Sequence, residues 1–169
     1  MHDMSQRNRI ALVYFLTLGG ILLCVGIIFL APYLKSRGSG LNAFAYLFFA
    51  PTCHQIPARS ICFFGHPLAV CARCLGIYIG FLGGMGIYAL RRGFSAVAMP
   101  KVRTLILVTF PLILDALGNL FHLWNAPHWL RFLTGILWGS ILPFYFITGV
   151  ADFFIQKKRL KAGRPENIS

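Results

Sequence analysis

Two thiols three residues apart, Cys71 and Cys74, flank Arg73 at the head of an apolar run. If that run is a helix, positions i and i+3 share a face, so both sulfurs point the same way. The unpaired N–H groups and the dipole of a helix N-terminus stabilise a thiolate, and Arg73 adds positive charge. A Cys-x-x-Cys pair in that setting serves a metal ion or a reversible disulfide. Upstream lie Cys53-His54-Gln55, Arg59-Ser60, Cys62 and His66. Zinc takes four Cys or His ligands, and a pair spaced by two residues supplies half of such a set. Cys53 or His54 would complete the site with Cys71 and Cys74, although two adjacent residues rarely both reach one ion; Cys62 and His66 are further candidates. The redox reading uses the same atoms, with Cys71 and Cys74 cycling between dithiol and disulfide and exchanging with Cys53 or Cys62. A fixed disulfide stapling the loop to the helix is the inert alternative. Cys24 falls in the middle of the first apolar run and reads as packing.

The elements that must hold these residues are membrane spans. Of the 169 residues, 57% are hydrophobic and 12% are charged, with a mean hydropathy of +0.71. A soluble domain carries about 25% charged residues, so a water-exposed globule of this composition would lack the polar surface to cover itself. About 20 apolar residues cross the hydrocarbon core as a helix, and four runs qualify: roughly 10–34, 68–90, 102–123 and 129–154. The first follows Arg7 and Arg9 as a signal peptide would, but it is longer than a signal core and has no small-residue cleavage site, so it is expected to be retained. Residues 41–50, closed by Pro51, are too few to span and predict an interfacial or re-entrant helix before the Cys-His loop. Residues 155–169 read as a basic, polar tail. The expected fold is therefore an all-α, single-domain bundle of four transmembrane helices.

The net charge of +12 would suggest nucleic acid in a soluble protein. Here the basic residues gather at the ends of apolar runs, where they orient a membrane protein and meet anionic headgroups, and no nucleic-acid module is present. One side of the bundle carries Arg7, Arg9, Arg91, Arg92, Lys101, Arg103, Lys157, Lys158, Arg159, Lys161 and Arg164; the other carries Lys35, Arg37, Arg59, Arg73 and Arg131. The positive-inside rule then places both termini in the cytoplasm of a prokaryotic inner membrane and turns the Cys-His loop outward. Trp124, Trp129, Tyr46 and Phe48 suit an interfacial belt near that outer boundary, and His128 reads as an exposed loop residue.

Two further patterns lie inside the spans. The second carries Gly76, Gly80 and Gly84 at spacing four, with Gly83 and Gly86 beside them, and the fourth carries Gly135 and Gly139. Small-residue stripes let helix backbones meet in lipid, so these predict a seam between the second and fourth spans, or else a face for a homo-oligomer. The third span places Asp115, Asn119 and His122 on one face. A carboxylate in hydrocarbon is costly and must be paired or protonated, with Arg73 and Arg131 as candidate partners. The stripe reads either as a structural ion pair or as a functional one, relaying protons, binding a polar head group, or lining a path for a small solute or ion in an oligomer. Arg59, Arg73 and Arg131 are expected to converge on the outer face. There, with His122, they would meet Asp115, an anionic headgroup or a quinone oxygen.

Cys53-His54-Gln55-Ile56-Pro57-Ala58-Arg59-Ser60, Gly65-His66-Pro67, Val70-Cys71-Ala72-Arg73-Cys74 and Gly76-Ile77-Tyr78-Ile79-Gly80-Phe81, followed by Asp115 and by Arg131 to Gly135, resemble the uncharacterised prokaryotic membrane-protein family known as domain of unknown function 2085. The resemblance covers roughly residues 44–146. It implies a small multi-span protein with Cys53, His54, Arg59, Cys71, Arg73 and Cys74 as signature positions, and supplies no activity. The layout is also similar to the quinone-linked oxidoreductases that regenerate periplasmic disulfides, which have four spans and a Cys-x-x-Cys at the outer end of the second. This chain departs from them in having no cysteine between its third and fourth spans.

Three functional expectations follow. The first is a metal site, zinc or similar, on Cys53, Cys71, Cys74 and either His54 or Cys62. The second is a thiol–disulfide enzyme exchanging with a thiol partner on the outer side and passing electrons to a quinone near Arg73, Asp115 and His122. The third is the solute or ion pathway.

Overall fold

The computed structural model describes the backbone of residues 2–92, 101–121 and 126–161. The elements run α1 (His2–Ser36), α2 (Asn42–Phe49), a 3₁₀ turn (Pro57–Arg59), β1 (Cys62–Phe63), β2 (His66–Pro67), α3 (Ala72–Arg92), α4 (Val102–Leu120) and α5 (His128–Lys161). Among the described residues four helices are long and apolar enough to cross a membrane, at Arg7–Ser36, Ala72–Leu90, Val102–Asn119 and His128–Val150. The all-α membrane class and the four spans are as expected.

Several boundaries differ from the sequence reading, and α1 already begins at His2 rather than near residue 10. Leu68, Ala69 and Val70 are not helical, although they are apolar and buried. The Leu68 N–H is bonded to the Ile61 carbonyl at 2.9 Å, extending the β1–β2 ladder, and helical bonding begins only where Leu75 N–H reaches the Cys71 carbonyl at 2.9 Å. At the other end of the chain, α5 continues to Lys161, so the first basic residues of the expected tail are helical. The third span is helical to Leu120; His122 and Trp124 lie outside the described residues. The short strand pair itself was not expected. Its two-residue turn has Phe64 at φ 52 and Gly65 at φ 76, the double left-handed geometry that suits a tight hairpin.

α1 stops at a glycine cap. Gly38 sits at φ 68, and Gly38 N–H and Ser39 N–H bond back to the Lys35 and Leu34 carbonyls at 3.1 Å each, closing the last turn. The chain then doubles back as α2. Residues near the start of α1 (Ile10, Val13, Tyr14) pack with Phe81, Met85 and Tyr88 of α3, and residues near its end (Ile28, Ala31) pack with Leu75. α1 and α3 are therefore antiparallel.

The closest packing joins α3 to α5. A Cβ built on Gly76 would sit 2.2 Å from the Phe132 carbonyl oxygen, on Gly80 2.3 Å from that of Ile136, and on Gly84 2.1 Å from that of Ser140. The reciprocal positions Gly135 and Gly139 would meet the Arg73 and Ile77 carbonyl oxygens at 2.3 Å. Residue numbers rise together along both helices, so α3 and α5 are parallel. Of the two readings of the glycine stripe, the intramolecular seam is the one seen. Gly83 and Gly86 face open space and take no part in it.

α4 completes the bundle antiparallel to α5, tied to it by hydrogen bonds along its length. Arg131 Nη2 donates to Asn119 Oδ1, Trp138 Nε1 donates to Thr109 Oγ1 at 3.0 Å, and Tyr145 OH donates to the Lys101 carbonyl at 3.0 Å. The outer flank of α4, including Ile106, Leu107, Phe110 and Leu114, is exposed, as a lipid-facing surface is. The arrangement brings the end of α1, the start of α3, the end of α4 and the start of α5 to one rim.

Gly80→Ala is expected to force α3 and α5 apart against a backbone oxygen, which nothing flexible can relieve. Overpacking of this kind costs about 1–3 kcal/mol and should lower the thermal midpoint of the detergent-purified protein. Gly83→Ala, with no atom in the way, should leave it unchanged or slightly raised. Equal midpoints for the two variants would contradict the seam.

Candidate functional site: a three-cysteine cluster and its arginine network

Cys71 occupies the cap position of α3. Its carbonyl accepts the first helical bond from Leu75, and its sulfur accepts from the backbone N–H groups of Arg73 and Cys74. These donors belong to the first turn, whose N–H groups have no helical acceptor. A thiolate here does the work that a serine or aspartate oxygen does at most helix starts.

The third sulfur comes from elsewhere in the chain. The end of α2 unwinds through bonds from Thr52 and Cys53 N–H to the Phe49 carbonyl, at 3.1 and 2.9 Å. Phe49 is buried, with its ring edge-on to Tyr78 at 5.9 Å. This turn delivers Cys53, itself 5% exposed, to within 3.2 Å of the Cys71 N–H. The chain must then reverse at once, and Gln55 takes the left-handed conformation at φ 51. That conformation is uncommon for a residue with a side chain, and Gln55 Nε2 anchors it by donating to the Tyr46 carbonyl at 2.6 Å. Tyr46 in turn donates its hydroxyl to the Pro67 carbonyl, fastening α2 to the hairpin. Neither anchor was expected; a glutamine directly after Cys-His was the available signal.

The Sγ atoms of Cys53, Cys71 and Cys74 lie within 4.8 Å of one another, and all three thiols are free. The Cys71 thiol is held far below the ordinary thiol range. The largest cause is hydrogen bonding from the Cys53 and Cys74 thiols; burial opposes it, and the first-turn N–H groups reinforce it. His54 and Cys62 are exposed and are not part of this group. His66 pairs with Phe63 in the hairpin, also outside the group. Cys24 packs against the apolar cluster around Cys53, with Ile27 and Phe29, which agrees with its expected role.

Arg73 turns away from its flanking cysteines toward α4. Its Nε donates to Asp115 Oδ2 at 3.1 Å and its Nη2 to the same oxygen, forming an ion pair with a carboxylate that is almost fully buried. Asn119 Nδ2 holds the other oxygen, Oδ1, at 3.1 Å and also bonds the Asp115 carbonyl at 2.8 Å. Arg131 closes the chain on Asn119 Oδ1. The sequence offered Arg73 and Arg131 as alternative partners for Asp115. The structure uses both, Arg73 directly and Arg131 through Asn119. Asp115 and Asn119 are thus engaged in holding helices together, the structural member of the two readings given to that stripe. His122, expected as a cofactor contact, lies outside the described residues. Arg59, on the 3₁₀ turn, takes no part in this hydrogen-bonded chain but shares a cavity with Arg131 at the start of α5.

Asp115→Asn removes the charge that neutralises a partly buried guanidinium. Breaking one side of a buried pair costs about 3–5 kcal/mol, so a marked fall in the thermal midpoint is expected. The double variant Arg73→Gln with Asp115→Asn should recover part of it, because no charge is then left unpaired. A double variant as unstable as the sum of the singles would show that the two residues do not interact.

A family model described as a predicted membrane protein, DUF2085, matches residues 53–145, from Cys53 through the middle of α5. An uncharacterised protein of Methanocaldococcus jannaschii is 36% identical over 150 residues, 85% of this chain and 96% of the relative. Another uncharacterised protein, from Methanothermobacter thermautotrophicus, is 34% identical over 84 residues, 50% of this chain and 74% of the relative. No solved structure matches. The matched region contains the three-cysteine cluster, the Arg73–Asp115 pair and the glycine seam, and the chain belongs to this DUF2085 family of predicted membrane proteins.

Proposed function

We propose that Cys53, Cys71 and Cys74 bind one soft divalent metal ion, zinc by preference, at the extracytoplasmic rim of a prokaryotic cytoplasmic membrane. The observation that carries this is the meeting of three sulfurs from two distant segments. Zinc–thiolate bonds of about 2.3 Å in tetrahedral geometry need sulfurs roughly 3.8 Å apart, a spacing within reach of sulfurs that lie within 4.8 Å of one another. The ligands must be thiolates, and the Cys71 position already favours that form through its hydrogen bonds. Three protein ligands leave one coordination position for a water or a further ligand, the pattern of a reactive rather than a purely structural site. The basic residues gathered on the opposite rim support an outward-facing cluster.

The lowered Cys71 thiol also favours a second reading, thiol–disulfide chemistry. In it two of the three thiols lose two electrons and two protons to a membrane quinone. One S–S bond forms and the quinone becomes a quinol. Reduction by an external dithiol would return the pair.

Metal content and free thiols counted on one purified sample separate the two. The metal reading expects about one zinc per chain, lost in Cys53→Ser and Cys71→Ser and kept in Cys62→Ser. A folded, metal-free protein that takes up no added zinc would sink it. The redox reading instead expects thiols that disappear when quinone is added. For orientation, Cys62 is exposed on the hairpin, so an impermeant maleimide should label it in intact cells of a strain expressing the protein. Labelling only after lysis would reverse the topology.

A further inference from the structure

The arginine network leaves one buried donor over. Arg131 is 6% exposed; its Nη2 is bonded to Asn119, yet its Nε has no hydrogen-bond partner among the described residues. A buried donor on a cation is costly to leave unmatched. Arg131 also lines an open-mouthed cavity of about 580 Å³ between the 3₁₀ turn and the start of α5, with Arg59, His128 and the apolar Ile56, Ala58 and Pro127. That volume falls within the usual size of small-ligand sites, roughly 300–1,000 Å³.

The charges around the cavity do not balance. No carboxylate is among the described residues that line it. The one acidic residue between Asp3 and Asp152 is Asp115, and its oxygens are taken by Arg73 and Asn119. Among the described residues Arg59 has no side-chain hydrogen bond or ion pair. The start of α5 opens on the same cavity; the Leu130 and Arg131 N–H groups are taken by the Pro127 carbonyl, and the N-terminus of a helix favours negative charge.

We propose that this cavity binds an oxyanion, a phosphate or carboxylate group, held by the guanidinium groups of Arg59 and Arg131 with the first turn of α5. The group belongs either to a free small anion or to a lipid headgroup at the rim. The site is separate from the cysteine cluster and does not rest on metal binding there. It connects to the cluster through the chain Arg131–Asn119–Asp115–Arg73.

The test uses the full chain in nanodiscs of phosphatidylcholine, titrated with inorganic phosphate against chloride at matched ionic strength. A parallel set of nanodiscs contains phosphatidylglycerol. A saturable rise in thermal midpoint with phosphate supports a free anion. A rise with phosphatidylglycerol, to which phosphate adds nothing, supports a headgroup. In either case Arg59→Gln should weaken the effect at least about tenfold, the loss expected for one charge-assisted hydrogen bond. Its midpoint without anion and its metal content should match the parent, since among the described residues the Arg59 side chain makes no other hydrogen bond or ion pair. The proposal is overturned if neither anion shifts the midpoint, or if Arg59→Gln responds as the parent does.

Discussion

The structure depends on two helix backbones touching. Lipid tails are as apolar as leucine, so the hydrophobic effect gives transmembrane helices little reason to associate, and close packing must hold them. Along α3 and α5 every fourth residue is a glycine on one helix or the other, and each meets a carbonyl oxygen of its neighbour. The seam begins at the rim, where Gly135 lies against the Arg73 carbonyl. It therefore fixes the first turns of two parallel helices side by side. The cysteines and Arg73 on one, and Arg131 on the other, share a rim for that reason.

Parallel helices also place two positively polarised N-termini together, and the chain adds Arg73 and Arg131 to them. Asp115 offsets this charge from the end of the antiparallel α4. In a medium of low dielectric an unpaired partner is very costly, so the Arg73–Asp115–Asn119–Arg131 chain specifies where α4 docks even though most of α4 faces outward. Trp138 and Tyr145 repeat the same logic further along, each giving one donor to α4. Apolar surface on α4 could lie against any lipid or helix; its polar rungs fit only one neighbour.

The cysteine cluster draws on the same polarised rim. Cys71 accepts first-turn N–H groups at the head of α3, and Cys53 is brought in from the opposite direction by α2, the buried Phe49 and the strained turn at Gln55. The sulfurs are thus sheltered by apolar packing on one side, and that of Cys71 is stabilised as an anion by the hydrogen bonds on the other. Such an environment suits a metal ion, which needs thiolates and a shaped cavity together.

The number of the spans, their charge asymmetry, the glycine stripe and the pairing of Cys71 with Cys74 could be read from sequence alone, because they depend on short-range periodicity and composition. Helix geometry alone places Cys71 beside Cys74 and Asp115 beside Asn119. The tertiary structure decided what joins across distance. It chose Cys53 rather than His54 or Cys62 to approach the pair, since the turn after Phe49 leaves His54 and Cys62 exposed. It divided Asp115 and Asn119 between two arginines that sequence could only offer as rivals. It also set the start of α3 at Ala72, because the hairpin claims the Leu68 N–H before the helix can. Contacts of that kind depend on which backbones reach each other, and no local pattern of residues records it.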